Sequence, residues 1–169
     1  MLWRAGRLAS TDLARLLAAA LAATALSAAT ALAQTVVVDG RTLEIDGSSI
    51  RLWGMDAPDP AQICDQKWPA GQEAMAKLAE LVRGHTVECE SKGRDGDGRT
   101  LALCRVDGKD LGAAMVRAGM AWADLKTTHQ YVLPEAHAAA AYLGVHAHHC
   151  RTAWDWRARS RVEPQFERQ

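Results

Sequence analysis

The sequence predicts one α+β domain dominated by β-structure, a small closed sheet with helices at its periphery. Three observations carry that prediction. Short β-prone runs at Thr35–Val38, Thr42–Ile45 and Ser49–Trp53 follow one another closely, with Asp39-Gly40 and Asp46-Gly47 as the turns between them. Apolar residues then recur at helical spacing between Glu73 and Val82. Further on, two alternating runs, Thr86–Glu90 and Thr100–Val106, flank the charged, glycine-rich loop SKGRDGDGRT, and two more helical stretches follow.

The chain has 169 residues, enough for one domain with a sizeable core. Arg4, Arg7 and Arg15 precede an Ala/Leu-rich run, Leu16–Leu32, that ends in Ala31-Leu32-Ala33. A basic start, an apolar centre and a small-x-small end are the parts of a secretory signal peptide, so residues 1–33 are read as one. The competing reading is an uncleaved membrane anchor, since the run approaches spanning length. Removing residues 1–33 takes away three arginines and Asp12. That leaves 17 Lys+Arg against 19 Asp+Glu from the chain's 20 of each, a formal charge of −2. Such a balance excludes a nucleic-acid coat protein, and any polyanion site must be a local cluster. Residues 34–157 form the domain. Residues 158–169 are charged, lack apolar periodicity and read as a disordered tail.

In the meander, Gly and Asp at the turns exclude helix. A loop carrying Cys64 and Trp68 follows Asp59-Pro60. Ala74, Leu78, Leu81 and Val82 then make one apolar face, Glu73, Lys77 and Glu80 lie on others, and Arg83-Gly84 is a stop. Asp110 is placed to cap a helix Leu111–Ala118 that ends at Gly119. Met120–Ala123 is apolar and packs on the core. Pro134 suits the first turn of a last helix, Pro134–Tyr142, ended by Gly144. Strands, helix, hairpin, helix, helix in this order suggest an OB-type barrel.

The four cysteines, Cys64, Cys89, Cys104 and Cys150, are an even set without a C-x-x-C pair. In an exported chain they favour two disulfides over a zinc ribbon or thioredoxin motif. Cys89 and Cys104 sit on the two arms of the hairpin and can pair if they lie opposite each other. By elimination Cys64 then pairs with Cys150. In the hairpin loop, Asp95-Gly96-Asp97-Gly98 looks like the start of an EF-hand, but the remaining ligand positions and the flanking helix pair are missing. HAHHC, from His146 to Cys150, lacks a second ligand group at zinc-site spacing. Trp68, Trp154 and Trp156 could stack on bases, and core packing is the better reading of them.

The stretch with the most chemistry is RLWGMDAPD, Arg51–Asp59. An apolar run delivers Arg51, Asp56 and Asp59 to one rim, with Gly54 bending the chain and Pro58 barring a central strand. From the residues alone, Arg51 fits a surface ion pair with a neighbouring acid such as Asp56, and Asp56 fits a cap on the following turn. Arg99 fits a solvated loop charge.

VVDGRTLEI, RLWGMDAPD, the GQEA of the first helix, RDGDGRTLALC, DLGAAMVRAGMA and YVLPEAHAAAAYLGV together resemble the staphylococcal nuclease family, over roughly Val36–Val145 and in that family's order. The closing WDWR resembles many exported bacterial members. The resemblance implies a five-stranded OB-type barrel with three helices and a Ca2+-dependent endonuclease site. It also implies a DNA or RNA substrate with single strands favoured, a monomer, and a periplasmic or secreted location without stable membrane association. Arg51 and Arg99 match the arginines that hold the scissile phosphate, and Asp56 matches a metal-binding carboxylate. Ala57 would lend a metal-binding carbonyl, Asp59 stands where the family has the glutamate that activates water, and Asp95 matches an aspartate of the hairpin loop. Tyr131, before the last helix, is the substrate-face candidate. The chemistry is coherent. Two guanidiniums can fork onto the equatorial oxygens of a pentacoordinate phosphate, and a hard cation takes up the remaining charge.

Two positions depart from the pattern. The family's first turn reads DGDT, with a ligand aspartate, whereas this chain has DGRT with Arg41. Near a divalent cation that exchange costs on the order of 4 kcal/mol per unit of charge at about 4 Å and an effective dielectric near 20. Arg41 fits a solvated turn residue, a phosphate contact or, preferentially, an internal ion pair with Asp56 or Asp59. Asp59 for glutamate shortens the base by one methylene, and a misplacement of ~1 Å can cost about 10²-fold in rate. The residues therefore fit either an exported nuclease weakened at Arg41 and Asp59 or a non-catalytic module of the same fold. The latter would bind nucleic acid, another polyanion or a protein.

Overall fold

The computed structural model describes residues 34–162, the side chain of Val162 excepted, and the expected signal segment lies outside them. Its elements run β1 (Thr35–Asp39), β2 (Thr42–Ile45), β3 (Ser48–Leu52), β4 (Met55–Asp56), α1 (Ala70–Val82), β5 (Val87–Arg94) and β6 (Thr100–Val106). They continue with β7 (Lys109–Asp110), α2 (Leu111–Arg117), β8 (Trp122–Ala123), α3 (Val132–Ala140) and α4 (Ala153–Val162), and short 3-10 turns stand at Asp65–Lys67 and Gly144–His146. The fold is α+β, with a mixed sheet and four helices among the described residues.

The expected meander is present. β1 pairs antiparallel with β2, and β2 with β3, while β3 runs parallel to β6. The strand path is β1-β2-β3-β6-β5, β7 adds to β6, and β4 pairs separately with β8. These pairings do not close into the expected five-stranded barrel. The far edge shows a physical reason: beyond Val87 every residue of β5 is exposed, and Glu88, Glu90, Lys92 and Arg94 make it a charged edge that disfavours further pairing.

The core gathers Leu43, Leu52 and Met55 from the strands with Leu78 and Val82 of α1 and Met115 of α2, all buried. On α1 the buried positions Ala70, Gly71, Ala74, Leu78 and Val82 form the expected stripe. Two glycines let the site approach this helix. A Cβ on Gly40 would lie 2.6 Å from the Ala74 Cβ, and one on Gly71 only 2.1 Å from the Asp59 carbonyl oxygen. The turn that carries Arg41 and the loop that carries Asp59 are thus both packed directly on α1.

Cys89 and Cys104 face each other in the β5–β6 register and are disulfide-bonded, and Cys64 is bonded to Cys150. Asp110 caps α2 by accepting the Ala113 N–H at 3.1 Å.

Two expectations need correction. Helix continues into the segment read as a disordered tail. Thr152 caps α4, its Oγ1 accepting the Asp155 N–H at 3.3 Å while its hydroxyl donates to Asp155 Oδ2 at 2.5 Å. Residues 163–169 lie outside the described part. The second correction is Tyr131, which is not on a substrate face but 1% exposed. The missing side chain of Gly54, at φ +78°, leaves room for its ring, and its hydroxyl donates to Asp110 Oδ2 at 2.9 Å.

Burial, followed by the charge of Asp110 and the hydrogen bond to it, pushes the Tyr131 hydroxyl well above its ordinary pKa. Its neutral form is therefore favoured by folding. That stabilisation is complete below the unfolded value near 10 and is lost as pH rises beyond it. Tyr131→Phe is expected to cost about 1.5–3 kcal/mol at pH 7, the worth of a hydrogen bond to a charged group. In urea denaturation the variant should lack the wild type's tyrosine-linked loss of stability above pH ~10.

Candidate functional site

Asp56 stands at the centre of the site. It ends β4, is buried, and holds guanidiniums from three separate segments. Arg41, in the β1–β2 turn, donates through Nη1 to Oδ1. Arg157, on α4, donates through Nη2 to Oδ2. Arg51, on β3, reaches Oδ1 more loosely at 3.4 Å. Each contact has a local cause. The Arg41 N–H donates to Asp39 Oδ1 at 2.9 Å, and its carbonyl accepts the Leu52 N–H at 2.8 Å, so the DGRT turn is tied to the strand that carries Arg51. Arg157 is delivered by a pinned segment: Cys150 is bonded to Cys64, and the buried Gln62 donates to the Arg151 carbonyl at 2.8 Å.

Arg99 comes from the β5–β6 loop and is held by its own loop acids. Its Nε donates to Asp95 Oδ2 at 2.7 Å, its N–H to Asp95 Oδ1 at 2.9 Å, and its Nη2 to Asp97. Hydrogen bonding to Asp95 raises the pKa of Arg99 above its ordinary value. Burial pushes the Asp95 carboxyl up, but hydrogen bonds from Arg99 and Asp97 outweigh it and hold the group below the usual range. Asp95, which the resemblance matched to a family residue, thus orients Arg99. Arg51 shows the opposite sign. Burial, then the charge of Arg41, lowers its pKa against the pull of Asp56, and Arg99 and Arg157 add to the lowering. Arg99 is thus close enough for its charge to bear on Arg51.

Asp59 is tied to its own turn. One carboxylate oxygen accepts the Ala61 N–H at 3.2 Å, and its N–H donates to Gln62 Oε1 at 3.3 Å. Ala57 is wholly buried beside Gly40. The donor set is a poor fit for a hard divalent cation. Both oxygens of Asp56 are occupied by guanidiniums, Arg41 brings a positive charge where a ligand would stand, and Asp59 is engaged in a turn. Among the described residues no three His, Cys, Asp or Glu side chains converge as a ligand group.

The preferred reading of Arg41 is an internal ion pair with Asp56 or Asp59, and the partner is Asp56. Arg157 is the contact that sequence reasoning missed, and its signal was WDWR, whose tryptophans fit core packing and whose pattern resembles exported family members. The tryptophans divide. Trp68 stacks on His148 with centroids 4.5 Å apart, and Trp154 meets the buried Trp122 edge-on at 6.3 Å while remaining 43% exposed.

The site is thus an arginine-rich rim around one buried carboxylate on an α+β domain. The chain belongs to the staphylococcal nuclease homologue family, whose model matches residues 49–145. It is 37% identical over 94 residues to the succinoglycan biosynthesis protein ExoI of Rhizobium meliloti, covering 52% of this chain and 49% of that one. It is 29% identical over 123 residues to an uncharacterized endonuclease of Haemophilus influenzae, covering 71% of this chain and 66% of that one. The matched regions are thus about half and about two thirds of those relatives' lengths. Arg51, Asp56, Asp59 and Arg99 lie inside the family match, and Arg41 and Arg157 lie outside it.

Proposed function

We propose that the protein is a nucleic-acid-directed member of the nuclease family that seats a phosphodiester strand on Arg51 and Arg99 and cuts it poorly. The observation that carries this reading is the occupation of Asp56 by Arg41 and Arg157, which leaves an excess of guanidinium at the rim and both oxygens of Asp56 engaged. Positive charge of this kind holds phosphate without a metal. Family membership and the endonuclease relative support nucleic acid, DNA or RNA, as the ligand. The apolar N-terminal run and the two disulfides support export to the periplasm or beyond. Among the described residues no helix is long and apolar enough to cross a membrane.

A second reading, Ca2+-dependent hydrolysis by an exported endonuclease, is favoured by Arg51 and Arg99, the two arginines of the resemblance, both of which lie within the family match. It requires Arg41 and Arg157 to leave Asp56. The two readings separate in one experiment. Binding of a fluorescent single-stranded oligonucleotide is expected to persist in chelator and to weaken steeply with salt. Arg51→Ala should reduce it by about 10-fold or more, the loss of a charge-assisted hydrogen bond. On a denatured-DNA zymogram, wild type should clear little with Ca2+, and Arg41→Asp combined with Asp59→Glu should clear more. Strong calcium-dependent clearing by wild type, abolished in Arg51→Ala, would establish the second reading instead. An absence of oligonucleotide binding would overturn the first.

A further inference from the structure

Arg41 and Arg157 do more than neutralise a carboxylate. Three guanidiniums against the single charge of Asp56 leave a formal +2 at one point of the fold. Two of their nitrogens, Arg41 Nε and Arg157 Nη1, are buried without a hydrogen-bond partner. A buried donor left unpaired is costly, and Arg41 is only 7% exposed, so water does not readily serve it. The side chains of Arg51 and Arg157 keep 16% and 24% of their surface open, while Arg41 forms the inner wall.

We propose that Arg41, Arg51 and Arg157 form a metal-independent seat for a phosphate monoester dianion, the terminal phosphate of a nucleic-acid strand. An internal phosphodiester offers one negative charge and two non-bridging oxygens. A terminal phosphate above its second pKa near 6 carries almost two charges and three acceptor oxygens, which matches the excess guanidinium charge. Asp56 remains beneath the ligand as the counter-charge that holds the three arginines in register. Arg157 is then a ligand-binding residue supplied by α4, and the DGRT turn supplies the second new contact. Only the identification of the strand as nucleic acid rests on the function proposed above; the anion seat stands on the arginine geometry alone.

The test uses the exported chain with its disulfides intact, in chelator. Its probes are orthophosphate and one single-stranded oligonucleotide carrying a 5′-phosphate, a 3′-phosphate or hydroxyls at both ends. Orthophosphate at millimolar concentration is expected to raise the Tm of wild type and not of Arg157→Ala. A strand with a terminal phosphate should bind wild type at least about 10-fold more tightly than the all-hydroxyl strand. That preference should fade as pH drops through about 6. It should vanish in Arg157→Ala and return only in part in Arg157→Lys, which keeps the charge without the fork. Binding of the hydroxyl strand should persist in all three proteins, so a failure of strand binding is read separately from a failure of the seat. Equal affinity for phosphorylated and hydroxyl strands, with no orthophosphate shift, overturns the proposal. An orthophosphate shift without strand preference assigns the seat to free phosphate and overturns the strand-end reading.

Discussion

Asp56→Ala is expected to destabilise the fold by about 3–5 kcal/mol, the cost of breaking a buried ion pair while its partners stay behind. The effect is large because the variant leaves three guanidiniums converging on one buried point with no counter-charge. Loss of hydrophobic burial cannot account for it, since the side chain removed is polar. Urea denaturation near pH 7 measures the loss. A second substitution, Arg157→Met in the Asp56→Ala background, should recover part of the stability by removing one of the repelling charges. If Asp56→Ala proves as stable as wild type, or if Arg157→Met worsens it, the arginine cluster is not held by Asp56. Removing an arginine instead should be milder, because Asp56 retains other partners.

The second large effect belongs to the Cys64–Cys150 bond. It closes a separation of 86 residues, against 15 for Cys89–Cys104. Loop-closure entropy alone assigns the long bridge about 4–5 kcal/mol and the short one about 3. Replacing Cys64 and Cys150 by alanine should lower Tm by roughly 15 °C for a domain of this size. It should also act at the site. The bond, with Gln62 on the Arg151 carbonyl, pins the start of α4 and so delivers Arg157 to Asp56. Loss of orthophosphate binding in the double alanine variant at a temperature where it is still folded is the readout for that coupling. Replacing Cys89 and Cys104 should cost less and leave the phosphate response intact, since neither residue touches the arginine cluster.

Much of the fold was legible because its signals are local. Asp-Gly turns at 39–40 and 46–47 sit between the strands of the meander. The stripe on α1 is read directly from spacing, and the Asp110 cap from one residue type in one place. The register of Cys89 opposite Cys104 follows from a hairpin whose arms were visible. Arg51 and Asp56, five residues apart in one stretch, group together on sequence alone. An ion pair for Arg41 was legible from the DGRT turn, and the structure chose Asp56 over Asp59 as its partner.

What could not be read depended on pieces far apart in sequence. Tyr131 looked like a substrate-facing loop residue, because nothing near it shows that Gly54 and Gly112 leave room for its ring. The tail from residue 158 looked disordered because its charges lack an apolar period. A helix needs no such period when a threonine caps its start and a disulfide anchors the segment before it. Arg157 lies 101 residues from Asp56, and no local pattern links them. By itself the sequence determined the local elements, the family frame and the two arginines within the family match, because turn chemistry, periodicity and motif spacing act over a few residues. Only the tertiary structure decided that the sheet stays open and that Asp56 is closed off by arginines from the first turn and the last helix. Burial and ion pairing depend on which distant segments the folded chain brings to the same point.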